Sequence, residues 1–344
     1  MQKSPTTADR PRRPIRRWCV VVILLVLSAV AIIFIPRGES TEAIGNNERA
    51  EVATTSESAE PNVVEIDKYP EDKDTADSDT ATDQPPAETS LEPVGWFSVA
   101  TFNINWGNRR PQDTVDVIRR CGADLVLLQE VGPELETYLA KNMADLYADI
   151  RFRGDRSKYY AGGFGVLSSS PITAERFIPS RHGIFGYWVL KLTLDDRAIQ
   201  VANVHLQPIM FDGTEGTLGA FGRLMEMEDV HLREIEQIYK SLSSRHPTLV
   251  AGDFNSFSSG AAVKYLTKRK MTDSFASVTN QPDLHPTWRW PLGQTEVKLR
   301  IDYLFHTQQL ETLSSRIVES DVSDHSPVVS RLCWKEMLVE EQKP

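Results

Sequence analysis

Six places between Trp96 and Leu332 repeat one arrangement, a short apolar run with polar or charged side chains at its end or inside it. The run Trp96 to Ile104 carries Asn103 and is followed by Asn105, and Leu125–Leu128 is followed by Gln129 and Glu130. Gln200–Leu206 carries Asn203 and His205, and Leu249–Gly252 leads into Asp253 and Asn255. Asp302 lies inside Arg300–Phe305, while Asp324 and His325 precede Val328 to Leu332. Apolar runs this short read as buried strands. Further strands are expected at Gly165–Ser168 and Tyr187–Leu194. Helical periodicity appears at Thr114–Arg120, stopped near Gly122, and at Leu224–Leu242. Alternating strands and helices give an α/β fold, and strand ends are where such folds assemble sites. Singly, each polar residue has an ordinary explanation as a cap, a turn residue or a structural hydrogen bonder.

Charge divides the 344-residue chain unevenly. Residues 1–17 carry six bases and one acid, residues 38–93 carry 16 acids and three bases, and residues 94–344 carry 31 acids and 28 bases. With Arg37 these sum to the net charge of −10, which argues against a protein that coats nucleic acid generally. Between the basic head and the acidic stretch lies Cys19 to Ile35, apolar apart from Ser28. As a helix it would span about 26 Å, near the lower limit for a bilayer. Trp18 and the arginines stand where an interfacial anchor belongs, and no small-x-small cleavage site follows. The expected organisation is a basic head (1–17), a transmembrane anchor (18–36), a disordered acidic linker (37–93), a catalytic domain (94–335) and a tail (336–344). The positive-inside rule puts the N-terminus in the cytoplasm and the domain on the other side of the membrane. Three cysteines, at 19, 121 and 333, show no zinc spacing. Cys121 and Cys333 are open to two readings, a disulfide in an exported domain or two buried thiols.

Together the polar residues form a coherent chemical set. Glu130 offers a hard anionic ligand for Mg²⁺ or Mn²⁺, and an Asn carbonyl offers another. Asp and His provide acid/base capacity near neutral pH, and Asn a neutral donor to a phosphoryl oxygen. This is equipment for metal-assisted phosphoester hydrolysis.

The ordered runs Thr101–Asn105, Leu127–Val131, Gly165–Ile172, Ala202–Leu206, Ala251–Ser256, Thr287–Trp288, Arg300–Phe305 and Ser323–Val328 resemble the endonuclease/exonuclease/phosphatase family, to which DNase I-like nucleases belong. The resemblance covers residues 96–333. It implies a four-layer α/β sandwich, two packed mixed β-sheets flanked by helices. It also implies Glu130 as principal metal ligand, helped by Asn103 and completed by Asp324. Asp253 would orient or deprotonate the attacking water, Asn255 would hold the phosphate, and His325, oriented by Asp302, would contact a phosphate oxygen. His205 matches the family histidine that binds phosphate or assists the leaving group. Asn105, Trp288 and Arg300 are expected at the substrate. Asn105 stands where some nucleases carry Asp, which favours one metal over two.

Substrate is less defined. Nucleic acid is favoured; the alternative is a phospholipid or sphingolipid phosphodiesterase or phosphatase, suggested by the anchor and by an apolar, Gly-rich lip at Pro208–Gly222, and a non-catalytic binding protein on the same fold ranks last. Basic clusters at Arg151–Lys158 and Lys264–Lys270 read as solvated surface or as a nucleic-acid groove. No feature calls for a protein partner, so a monomer is expected.

Overall fold

The computed structural model describes residues 95–154, 159–209, 217–292 and 295–336. The chain runs β1 (Trp96–Asn103), α1 (Pro111–Cys121), β2 (Leu125–Gln129), α2 (Pro133–Asn142), β3 (Asp149–Gly154), β4 (Gly163–Ser168), β5 (Ile172–Ile178), β6 (Tyr187–Leu194) and β7 (Arg197–His205). It continues through α3 (Thr217–Ser241), β8 (Thr248–Asp253), α4 (Ala261–Lys268), β9 (Thr272–Asp273), α5 (Ser274–Val278), β10 (Trp288–Leu292), β11 (Thr295–Leu299), β12 (Asp302–His306), β13 (Leu310–Ile317) and β14 (Val328–Trp334).

Two six-stranded mixed sheets form, in the orders β13-β14-β1-β2-β4-β3 and β5-β6-β7-β8-β12-β9, with β10-β11 a separate hairpin. Strand alternation builds the layers. Val99, Leu125 and Leu127 of the first sheet meet Leu190, Val201 and Leu249 of the second in a shared core. The alternate residues Ala100, Phe102, Val126 and Leu128 face Ile118 of α1 and Leu135 and Leu139 of α2. On the second sheet Ala202, Val204, Val250 and Phe305 face Ile235 and Ile238 of α3 and Leu266 of α4. The result is the four-layer sandwich expected.

Pairing register decides where the site sits. β7 and β8 run parallel with His205 opposite Asp253, and β12 runs antiparallel to β8 with Asp302 opposite Asp253. His205, Asp253 and Asp302 thus stand in one row across three adjacent strands. In the first sheet β1 and β2 run parallel, with Asn103 opposite Gln129, and β14 enters antiparallel at Val328 opposite Thr101. Asp324 and His325, just before β14, therefore come to the same end. Gly252 makes this possible. At φ +151°, a Cβ there would meet the Val204 carbonyl oxygen at 1.8 Å, so only glycine lets β7 lie against β8 beside Asp253.

Among the described residues no helix is long and apolar enough to cross a membrane. The run Cys19–Ile35, the acidic stretch and residues 210–216 of the expected lip lie outside those residues, and the lip's end from Thr217 opens α3. Cys121 is a free, buried thiol, pushed up to about 12 by burial, so the pairing with Cys333 is not made. Three arginines of the basic clusters are engaged within the fold, while Lys264, Lys268 and Lys270 stand exposed. Arg151 and Arg153 pair with Asp149 and Glu175, and the Arg269 guanidinium lies 3.6 Å from the Tyr265 ring centroid.

Candidate active site

Just past the ends of β1, β2 and β8, Asn105 (φ 59°), Glu130 (φ 61°) and Asn255 (φ 47°) adopt left-handed backbone. Such conformations are strained and persist where the surroundings over-determine them. Two are held by the same device. Asn103 Oδ1 accepts from the Asn105 N–H at 3.0 Å, and Asp253 Oδ1 accepts from the Asn255 N–H at 2.8 Å. Asn and Asp take such turns readily because the side chain bonds the backbone two residues on. Each turn bends the chain off its strand and delivers side chains into the gap between the sheets.

There the polar groups converge. Asn103 Nδ2 donates to Glu130 Oε1 and to Asp253 Oδ2, both at 3.0 Å, joining the two sheets. Glu130 Oε2 accepts from the Trp106 N–H at 3.0 Å. Asp324 accepts from Asn105 Nδ2 at 2.8 Å and from Trp288 Nε1 at 3.1 Å. Asp302 Oδ2 lies 2.9 Å from His325 Nδ1, and the backbone N–H of Asp302 donates to Thr287 Oγ1 at 3.0 Å. His325 Nε2 then lies 3.7 Å from Asp253 Oδ2. On the other flank His205 Nε2 lies 3.5 Å from Asp253 Oδ2 and 3.8 Å from Glu130 Oε1.

Burial and charge set the protonation states. Burial disfavours the His325 imidazolium, but Asp302 and Asp253 more than offset it and lift its pKa to about 10. Burial, reinforced by the positive His325, pushes His205 down to about 3, so its ring is neutral. Burial raises Asp253 above the usual carboxylate range against the pull of His325, and raises Glu130 likewise. Glu130, Asp253, Asp302 and Asp324 therefore crowd round one cationic side chain. Carboxylates at such density are stabilised by a cation, and their oxygens suit a hard one. Asp302 Oδ1 is buried without a hydrogen-bond partner. Asp253, Asp302 and His325 bring ligand atoms within 4.8 Å of one another. His325 Nδ1 is already engaged by Asp302, so within that group the free ligand atoms are carboxylate oxygens and His325 Nε2. Asn103 presents its Nδ2 to the carboxylates, so its oxygen would reach a cation only after the amide turns.

Two expected substrate contacts are placed otherwise. Arg300 is buried, its Nη1 2.8 Å from Asp273 Oδ2, and its guanidinium lies over the Tyr303 ring. It braces β12 against β9 and has no free donor face for substrate. Asn255 spends its Nδ2 on the Leu206 carbonyl at 3.0 Å, which ties the Asp253 turn to β7. Gln129 and Asn203, which share the strand-end pattern, lie wholly in the core, where Gln129 Nε2 donates to Asn203 Oδ1 at 2.8 Å.

Other site features give little signal in the sequence. The Phe185 ring stacks on His205 at 4.1 Å and 19°. Ser323 Oγ donates to the Asn103 carbonyl and accepts from the His325 N–H, locking the two loops together. Glu234 of α3 accepts from the Gln207 N–H and from Ser180 Oγ, holding the segments on either side of Phe185 and His205.

The family model described as endonuclease/exonuclease/phosphatase family matches residues 100–325. The chain belongs to that family. Its members usually hydrolyse phosphoester bonds with a divalent metal. Solved structures share the family fold at low identity. An endonuclease/exonuclease/phosphatase from Beutenbergia cavernae is 21% identical, covering 70% of this chain and 72% of that one, with a TM-score of 0.55. One from Bacteroides vulgatus is 17% identical over 70% and 99% of the two chains, with a TM-score of 0.54. A humanized D. rerio TDP2 is 16% identical over 69% and 98%, also at 0.54. No functionally curated protein matches in sequence.

Proposed function

We propose that this member of the endonuclease/exonuclease/phosphatase family is a metal-dependent phosphodiester hydrolase, a nuclease or related phosphodiesterase. The observation that carries the reading is the convergence of Glu130, Asp253, Asp302 and Asp324 round one imidazolium, His325. In this reading Glu130 and Asp324, with Asn103, hold Mg²⁺ or Mn²⁺. When bound, the cation supplies Lewis-acid polarisation of a phosphoryl oxygen.

The chain's own groups supply the rest. Asp253, raised towards neutrality by burial, accepts a proton from the attacking water as the water oxygen bonds to phosphorus. His325, kept protonated by Asp302, donates from Nε2 to a non-bridging oxygen whose charge grows in the transition state. The leaving alkoxide departs with the bonding pair and is protonated from solvent. Neutral His205, pressed under Phe185, donates a hydrogen bond without carrying charge. Asn105 and Trp288 fix Asp324 and border the substrate.

The apolar run Cys19–Ile35 with its basic flank supports a single-pass anchor, an N-terminus in the cytoplasm and a domain beyond the membrane on a 37–93 tether. The substrate then is a phosphoester in that compartment, nucleic acid in the first instance. The test is hydrolysis of bis-p-nitrophenyl phosphate, single-stranded oligonucleotides and sphingomyelin vesicles with Mg²⁺ and with EDTA. Metal-dependent turnover that disappears in Asp253→Asn supports the reading, and turnover unaffected by EDTA removes it.

A further inference from the structure

Beside the anionic centre, aromatic rings stand in water where folding alone gives them no reason to be. Trp106 is 50% exposed and Tyr160 76% exposed. Their rings are stacked, centroids 5.9 Å apart and planes 23° from parallel. Scattered exposed aromatics are ordinary, but this pair is fixed to the site. The Trp106 N–H is bound by Glu130, the preceding Asn105 is bound by Asp324, and the Gly107 N–H donates to Asn105 Oδ1 at 2.8 Å. Next to Tyr160, the Tyr159 ring meets the edge of Phe185, which lies on His205. A further exposed ring, Trp290, stacks on Trp288 at 6.1 Å and 17°, and Trp288 is bonded to Asp324. Flat apolar faces are thus tethered to both carboxylates assigned to the cation, Trp106 to Glu130 and the Trp288–Trp290 pair to Asp324.

Resting on the phosphodiesterase reading and deepening it, we infer that the exposed Trp106–Tyr160 face is a stacking subsite for an unpaired nucleobase next to the scissile phosphate. Its ligand class is single-stranded nucleic acid. Every base offers a π-face that stacks on such rings, whatever its sequence. In a duplex those faces are covered by neighbouring bases, so the platform engages only an unpaired strand. Residues 94–344 carry 31 acids and 28 bases, so a strand bound here gains little from its phosphates and depends on its base faces. The described arginines of the Arg151–Lys158 cluster are tied to Asp149 and Glu175. An acyl chain gains from apolar area in any orientation, whereas two rings already stacked face to face suit a flat partner.

The test compares the full chain in EDTA with its Trp106→Leu and Tyr160→Leu variants, so that binding is read without turnover. Fluorescence anisotropy follows a labelled oligothymidylate, an abasic oligomer of the same length, and a duplex of the same sequence. The expected result is that the wild type binds oligothymidylate about tenfold tighter than the abasic chain, and that each variant loses most of that preference. Thermal melts confirm that the variants fold, and the exposed Tyr160 serves if Trp106→Leu does not. Equal affinity for base-bearing and abasic chains, preference for the duplex, or a preference surviving in both variants would overturn the inference. Binding to sphingomyelin vesicles that depends on the same two rings would overturn it in favour of a lipid face. Failure of the hydrolase reading is distinguishable, since that would be absence of Mg²⁺-dependent hydrolysis of any phosphodiester whatever the anisotropy shows.

Discussion

Gln129 and Glu130 are neighbours in the sequence, and the polar groups around them differ in kind. Gln129 Nε2 donates to Asn203 Oδ1 and Thr101 Oγ1, while Asn203 Nδ2 donates to the carbonyls of Leu128 and Gly165. That network joins the two sheets, is neutral, and leaves these donors and acceptors matched. One residue on, the backbone turns left-handed at Glu130 and the side chain enters a cluster of carboxylates with one imidazolium among them. There His205 Nδ1 and Asp302 Oδ1 are buried without partners. Both regions use amides and acids at strand ends. Satisfied neutral polarity specifies packing, whereas crowded charge with strained backbone stores the capacity to bind and react.

The contrast is broken most sharply by Asp253→Asn. The change keeps shape but can accept only one of the bonds from Asn103 Nδ2 and the Asn255 N–H, so about 1–3 kcal/mol of stability should be lost while kcat per folded molecule falls about 10³-fold, as for loss of a general base. Near-normal rates would place the base elsewhere.

Glu234 lies between the two kinds of region, a buried carboxylate with neutral donors only. Burial pushes it up to about 7 from 4.5, against the hydrogen bonds from Gln207 and Ser180. Its folded pKa exceeds the unfolded one, so the folded state holds the extra proton between those values. Stability from this group is therefore full below about pH 4.5 and declines as pH rises to about 7, by roughly 3 kcal/mol at the limit. Chemical denaturation of Glu234→Gln against wild type across pH 5–8 should show wild type losing ground as pH rises. A constant difference would mean the carboxylate titrates normally. Gly183→Ala should disturb the same spot, since a Cβ there would meet Glu234 Oε1 at 1.8 Å.

Asn203→Leu orphans the buried carbonyls of Leu128 and Gly165 and should destabilise by about 2 kcal/mol in urea melts, with activity per folded molecule retained. Loss of activity greater than loss of fold would make the inter-sheet network part of the site. The smallest effect is expected of Trp288→Phe, which removes one hydrogen bond to Asp324. About a fivefold drop in kcat/KM is expected, consistent with about 1 kcal/mol. An unchanged rate would mean Asn105 alone fixes that carboxylate.

Much of this was legible in the residues. The apolar runs locate β1, β2, β4, β6, β7, β8, β12 and β14, because a buried strand has few compositions open to it. Gly252 before Asp253 is legible once the parallel approach of β7 is known. The polar edge strand β13, half-exposed β3 and β5 and the β10-β11 hairpin lack that signature. Arg300 misleads because its partners, Asp273 and Asp283, lie in segments with no strand or helix signal. Phe185 over His205 and Tyr160 over Trp106 join segments 20 and 54 residues apart, and only the folded chain pairs them.

On this reading the crowded carboxylates are a cation site and the neutral network is not. Calorimetric titration of Mg²⁺ or Mn²⁺ into the wild type, Glu130→Gln and Asn203→Leu tests it most directly. Saturable binding is expected in the wild type, with an unchanged midpoint in Asn203→Leu and a midpoint at least about tenfold weaker in Glu130→Gln, where one anionic ligand is gone. The same midpoint in Glu130→Gln as in the wild type would contradict it.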